Sequence, residues 1–533
     1  MKTLTIAAAT LAMTLAPMCL KASPPVFKTA ATTGDDPAET GRKAATDLKA
    51  VFGGNELKAV LVMDSFEDLE NKQAMLDGVA SVLPREILFG GTSYGGFTQG
   101  GSIDYDGVFL LGIGGGVKVA PALVEKMGTT GLTMEDDVDA LTVAFGKAGE
   151  KLAGQLGELA RAKLLVLISD AHSPKNQLLL DGVQKVTGKG LPITGGSVCK
   201  NPGQNWVYFR GKAHTDSAIA LLLSGPFQVS QAGRQAKTND AVIKTASEGS
   251  ETVLKSAPGK PVALMAFNCG GRMGKLERLE DELEAIRKSI GKDLPVFGAY
   301  CAGEYGPADL SDSGGDPTPC GRGWHVMFTV LTEAEDLLAK PLGESWKSFS
   351  EDSGSGLADV WTIKDGVLTC RGTPKGGIYL DRELTDFTLQ LEWRWPGKEG
   401  KGGVLLRTTA PWKIWPKSLE AQINAGNAGD FWGLDGFSLD GPEERLKKLD
   451  HEQFGKLTNL ERTDTVEKPA GEWNHYEIVA AGPVVTLKVN GKVVNKTTNC
   501  DVHPGKICLT AEGSEIEFRN IRLMAPDSQA EAK

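Results

Sequence analysis

Three stretches of this chain repeat one pattern: an apolar run of strand length, a helix-like stretch, a second short strand and a Gly-rich turn. Repetition of this kind constrains the fold strongly, because a unit that cannot bury its apolar face alone must stack on its neighbours. The opening runs are Lys58-AVLVMDSF, Lys163-LLVLISDA and Pro261-VALMAFNCGGR. Each is continuously apolar, as strands covered on both faces are. Two units share an Asp-Gly-Val, at 77–79 and 181–183, set among apolar residues at three- and four-residue spacing, which predicts helices. The units close on Leu88-FGGTSYGGF, Leu191-PITGGSVCKNPG and Leu294-PVFGAYCAGEYG. The first half is therefore α/β and internally repeated.

Past about Glu333 the texture changes. Phe387, Leu389, Leu391, Trp393 and Trp395 alternate with Thr388, Gln390, Glu392 and Arg394, which puts the apolar set on one face of an antiparallel strand. Asn490-Gly491 between Val485-TLKV and Lys492-VV predicts a hairpin with a type I′ turn. Short strands in this rhythm predict a two-sheet, all-β sandwich. Eight of the ten Trp fall between Trp346 and Trp473, a density that suits a core and leaves Trp412, Trp415 and Trp432 as candidates for sugar stacking. The expected organisation is multidomain: a signal peptide over 1–22, a tether over 23–44, the α/β half over 45–333, a linker over 334–342, the sandwich over 343–526 and a tail over 527–533.

Lys2, the apolar run Leu4 to Leu20 and the small or turn residues Ala22, Ser23, Pro24 and Pro25 have the three parts of a secretory signal. An exported protein with no stable membrane span in its mature chain is expected. The net charge of −10 disfavours nucleic acid as a partner, since that affinity is mostly phosphate neutralisation. Without Cys19 seven cysteines remain, an odd number, and Cys500 with Cys508 makes the best local pair. Gly112-IGGGV lacks the third glycine of a dinucleotide fingerprint. The acidic loops Asp104-YDG and Asp309 to Asp316 lack an EF-hand's twelfth-position Glu and are read as turns. No cofactor is expected, and a metal ion is left open.

FGGTSYGGF (89–97), ITGGSVC (193–199) and FGAYCAGEYGP (297–307) resemble the motifs of the FIST sensory domain, over about residues 45–333. That resemblance implies a module for small ligands. Trp361-TIKDGVLTCRG, Asp386-FTLQLEWRW, Gly402-GVLLR, Leu419-EAQI, Gly471-EWNHYEIVAAG, Leu487-KVNGKVV and Glu517-FRNIRL resemble the bacterial 3-keto-disaccharide hydrolase-like domain, a concanavalin-type jelly roll, over about residues 343–525. The sequence departs at Leu509-TAEGSEIEF, where that family commonly carries a Gln and a His before the Gly. The resemblance implies a saccharide substrate and cleavage of the glycosidic bond of a 3-keto sugar. A non-catalytic protein that binds glycan and senses a ligand is the alternative.

Superposing the repeats aligns Gly90, Gly195 and Gly298, and behind them Thr92, Ser197 and Tyr300. Glycines there let backbone N–H groups approach a ligand that small hydroxyls orient, so these, with Ser93, Asn201, Cys301 and Glu304, are the candidate small-ligand residues. In the sandwich, Glu420 and Gln422 stand two apart on one strand and share a face. The preceding strand ends at Arg407, and a hairpin return would bring a guanidinium, a carboxylate and an amide together as the catalytic centre. Trp415 and Trp432 would stack against the sugar, and His451 would reach over it from the insertion 440–468.

Overall fold

The computed structural model describes residues 23–524 apart from 158, 160, 161, 202–204, 258 and 453. The expected signal peptide lies outside the described residues. The first unit runs β1 (Pro25–Thr33), α1 (Pro37–Phe52), β2 (Leu57–Asp64), α2 (Leu69–Ala80), β3 (Leu88–Thr92), the hairpin β4 (Gly96–Thr98) and β5 (Gly101–Ile103), and β6 (Gly107–Gly115). The second repeats it as β7 (Lys118–Val124), α3 (Val138–Ala153), β8 (Leu164–Ser169), α4 (Asn176–Thr187), β9 (Ile193–Ser197), β10 (Val207–Phe209), β11 (Lys212–His214) and β12 (Ala218–Ser224). The third is β13 (Phe227–Gln235), α5 (Asn239–Lys255), β14 (Lys260–Cys269), the short α6 (Gly270–Met273), α7 (Glu280–Ile290), β15 (Val296–Cys301), β16 (Glu304–Pro307), β17 (Pro319–Arg322) and β18 (His325–Glu333).

Each unit builds a sheet around one parallel pair, β2 with β3, β8 with β9, and β14 with β15. The hairpins do not stay at home. β4–β5 joins β15, β10–β11 joins β3 and β16–β17 joins β9, which completes three six-stranded sheets. Inward-facing residues of all three sheets, among them Leu61, Val166, Met265 and Phe297, form one central core, and the helices cover the outer faces. Gly112 lies inside β6, paired with β1 and β2, and not in a nucleotide loop.

The expected tether is part of this fold. β1 pairs with β6 from Pro25 to Thr33, and α1 packs on α2 through Gly41 and Gly78. The polar appearance of 23–44 comes from an edge strand and a helix that each bury one face only, Phe27 and Thr29 on the strand and Ala44, Ala45 and Leu48 on the helix. The expected linker is likewise structured: Glu335 and Asp336 form β19, which pairs with the last strand of the chain.

The second half adds β20 (Trp346–Ser350), β21 (Trp361–Lys364), β22 (Val367–Cys370), β23 (Gly376–Leu380), β24 (Phe387–Arg394), β25 (Gly403–Thr408), β26 (Ser418–Gln422), β27 (Phe431–Leu434), β28 (Leu446–His451), β29 (Gly455–Leu460), β30 (Asn474–Ala481), β31 (Val484–Val489), β32 (Lys492–Thr497), β33 (Lys506–Ala511) and β34 (Ile516–Met524). These strands make two eight-stranded sheets, β21-β22-β34-β24-β30-β31-β32 with β19 beside β34, and β20-β23-β33-β25-β26-β27-β29-β28. Trp346, Trp361, Trp393 and Trp395 are buried between them. Asn490 and Gly491 both have positive φ, 50° and 85°, as a type I′ turn requires. Cys500 and Cys508 are free thiols, one in the core between the sheets and the other under the outer face of the second sheet, so they do not pair. Among the described residues no helix is long and apolar enough to cross a membrane.

Candidate functional site

Alternation along β26 sends Leu419 and Ala421 into the core between the sheets and leaves Glu420 and Gln422 on the outer face. The same face of the neighbouring strands carries Leu405, Leu434, Leu457 and Cys508, partly covered by Tyr379, Trp412, Trp415, Trp432 and Phe454. Trp432 stands directly across the ladder from Glu420. Tyr379 and Trp412 stack at 3.9 Å, and Trp415 lies 4.1 Å from Phe454. His451 is exposed, with its ring 4.6 Å from that of Phe454, so it reaches the edge of this aromatic group. The face pairs half-buried aromatic rings with buried carboxyls, the two surfaces a sugar ring presents partners for.

Glu420 is 5% exposed and lies against Gly403, where a Cβ would be 2.3 Å from its Oε1. Burial pushes its carboxyl well above the usual range, and the charges of Glu512 and Asp430 push the same way. Asp430 is itself paired with Arg462 at 3.0 Å. Glu512 extends the outward set of β33, two residues past Thr510 and four past Cys508. The Gly403 N–H donates to the Thr510 hydroxyl at 2.7 Å, and that hydroxyl donates to Glu512 Oε1 at 2.8 Å. Burial raises Glu512 also, while Thr510, Lys401, Trp415 and Lys375 oppose the rise. Glu512 was missed in the sequence; the outward period from Cys508 through Thr510 was the signal that pointed to it. The Tyr476 hydroxyl donates to the main-chain carbonyl of Gln422 at 2.6 Å, a bond that ties the site's strand to the facing sheet.

Arg407 does not join them. A bulge between Leu405 and Thr408 and a φ of 51° at Arg407 break the alternation that would have aimed it at the face. Its guanidinium is 1% exposed and donates to the carbonyls of Thr385, Asp501 and Gly482 at 3.0, 2.8 and 2.6 Å. It is a clamp that ties loops together at one end of the sandwich.

In the α/β half the three Gly-rich turns meet. Tyr94 N–H donates to Tyr300 O, Tyr300 N–H to Gly95 O, and Ser197 N–H to Gly303 O. The side chains do not all converge, however: Cys301 and Glu304 act on each other, and the others turn elsewhere. The Tyr300 hydroxyl turns outward and donates to Glu282 on α7 at 2.7 Å, where Arg272 also donates to Glu282 at 2.7 Å. The hydroxyls of Ser93 and Ser197 are spent on the carbonyls of Asp64 and Ala171. Thr92 is buried on the strand-end position beside Asp64, and Asn201 is exposed beyond β9. Cys301 points into the central core, and burial raises its thiol well above the ordinary value, so it is held as a thiol. Glu304, fully buried, accepts from the His325 N–H at 3.2 Å, and burial holds its carboxyl far above the usual range. Asp309 and Asp316 accept backbone N–H groups of their own turns. Among the described residues no group of three or more His, Cys, Asp or Glu is arranged to hold a metal ion.

The FIST N domain model matches residues 22–251, the FIST C domain model residues 217–307, and the 3-keto-alpha-glucoside-1,2-lyase-like domain model residues 329–524. No curated protein matches the chain. Similar solved structures include a candidate glycosyl hydrolase from Parabacteroides distasonis ATCC 8503, 23% identical over 36% of this chain and 100% of that one, with a TM-score of 0.26. The carbohydrate binding module CBM66 from Bacillus subtilis is 12% identical over 34% and 96%, with a TM-score of 0.26. LamAcat from Zobellia galactanivorans is 13% identical over 36% and 95%, with a TM-score of 0.27. The chain thus joins a FIST N and FIST C pair, over residues 22–307, to a 3-keto-alpha-glucoside-1,2-lyase-like jelly roll, over residues 329–524.

Proposed function

We propose that the sandwich cleaves the glycosidic bond of a 3-keto sugar on the outer face of its second sheet, in an exported protein whose FIST half binds a small ligand. The observation that carries the reading is the pair Glu420 and Glu512, the first buried and the second partly buried beside half-exposed aromatic rings, with the charge of Glu512 acting on Glu420. A ketone at C3 acidifies the proton on C2. A base removes that proton, its electron pair forms the C1–C2 double bond, the C1–O bond breaks, and the departing oxygen takes a proton from an acid. Two carboxyls of unequal proton affinity supply both groups. The rings of Trp415 and Trp432 would cover the apolar face of the sugar.

The test is incubation of the full chain with 3-keto-glucosides while the released aglycone is followed. Turnover of a 3-keto-glucoside with an alkoxide leaving group that falls in both Glu420→Gln and Glu512→Gln supports the enzyme. Binding without turnover in the parent protein would make the sandwich a glycan-binding module instead.

A further inference from the structure

We propose that the two carboxyls have fixed and different roles: Glu512 is the base that takes the C2 proton, and Glu420 is the acid that protonates the departing oxygen. This rests on the reading above and deepens it. The donors around each group make the assignment. Glu512 accepts a hydrogen bond from the Thr510 hydroxyl at 2.8 Å, and the Trp415 indole and the positive charges of Lys401 and Lys375 act on it in the same sense. Each of these favours a carboxylate over a carboxylic acid. Among the described residues no donor or cation acts on Glu420 in this way. Its neighbours are the Cα of Gly403, Leu405 across one ladder and Trp432 across the other, and the charges that act on it, Glu512 and Asp430, are both negative.

Two carboxyls that feel each other hold one proton between them over a range of pH. That proton goes to the member with no cation or donor to stabilise its anion, which is Glu420. The resting site then holds one carboxylate and one carboxylic acid, the state that elimination requires at its start. After the step the proton has moved onto Glu512 and off Glu420. The pair regains its resting state by passing the proton from one carboxyl to the other.

The roles separate with two probes on the full chain. The first is a 3-keto sugar that carries no leaving group at C1, whose C2 hydrogen exchanges with deuterated water only if a base acts. The second is a matched pair of 3-keto-glucosides, one with a 4-nitrophenolate leaving group that departs unaided and one with an alkoxide that needs a proton. Glu512→Gln is expected to lower exchange at C2 about 100-fold or more, within the usual range for loss of a general base, and to lower turnover of both glucosides. Glu420→Gln is expected to keep exchange and 4-nitrophenolate release, and to lose alkoxide release about 100-fold. Lys401→Met guards against a Glu512 variant that does not fold: the acidic limb of the exchange rate against pH should move to higher pH, since a base deprived of a nearby cation binds its proton more tightly.

Loss of exchange in Glu420→Gln with retention in Glu512→Gln would reverse the roles and overturn the proposal. So would an acidic limb unmoved by Lys401→Met, or equal losses on both glucosides in Glu420→Gln. A parent protein that neither exchanges C2 nor releases either aglycone would overturn the underlying function, and this assignment with it.

Discussion

Gly403 stands where a side chain would collide with the site. A Cβ there lies 2.3 Å from Glu420 Oε1 and 2.8 Å from its Cγ, so Gly403→Ala must push the carboxyl off its position. The expected result is a cost of about 1–3 kcal/mol in unfolding free energy, typical of overpacking, with a loss of turnover that repacking alone would not cause. Chemical denaturation and a 3-keto-glucoside assay together check it. Glu420 also sets a pH dependence. Its folded-state pKa is raised, so above the unfolded value of about 4.3 the unfolded chain binds fewer protons than the folded one. Stability therefore falls as pH rises from about 4 and levels only when the folded pKa is passed. Glu420→Gln should remove its share of that slope, measured as denaturation midpoint against pH, and an unchanged slope would show the carboxyl to be ionised in the fold. At this scale Glu420 and Gln422 were legible because strand alternation is a rule of two residues. Arg407 was misjudged because a bulge leaves no mark in the residue types. Glu512 escaped notice because Thr510, which donates to it, meets Gly403 from over 100 positions away in sequence and only the sheet brings those strands together.

At the scale of elements, the shared Asp-Gly-Val of the first two units has a use beyond marking a helix. A Cβ on Gly78 would lie 2.0 Å from Ala38 O, and one on Gly182 would lie 2.2 Å from Gly146 O. These glycines are where α1 crosses α2 and α3 crosses α4, backbone against backbone. Ala is the better helix former by about 1 kcal/mol, so propensity alone would have Gly78→Ala stabilise the protein. The crossing reverses the sign, since the contact is with a carbonyl that cannot turn aside, and a lowered thermal midpoint is expected. A raised midpoint would mean that the helices part without cost. The helices and parallel strands were legible as periodic apolar patterns. β1 and the start of α1 were not, because Phe27, Thr29 and Ala44 bury small or isolated residues that look the same as a polar tether.

At the scale of the whole molecule the two halves differ in how far their pairings reach. In the α/β half each hairpin completes a sheet that another unit began, so β4 pairs with β15 across about two hundred residues, and the three units close on one core. The repeat was legible; the exchange of hairpins was not, since a short Gly-rich segment carries no signal for which sheet it joins. The sandwich closes on itself, but its first strand comes before the boundary expected at 343. Glu335 and Asp336 pair with Leu523 and Arg522, Leu337 N–H donates to Ile521 O at 2.9 Å, and the buried Trp346 indole donates to Leu337 O at 3.0 Å. Arg382 pairs with Glu335 at 2.8 Å from the other side. A fragment that begins at 343 would strip an edge from β34, leave the Trp346 N–H without its acceptor and expose the pocket that Leu337 fills. The orphaned donor alone costs about 1–3 kcal/mol, and the lost apolar burial adds about 1.5–3 kcal/mol for a side chain of that size. The fragment 334–524 should therefore resist urea better than 343–524 by at least about 2 kcal/mol. Equal midpoints for the two would mean that residues 335–342 join the halves without belonging to either.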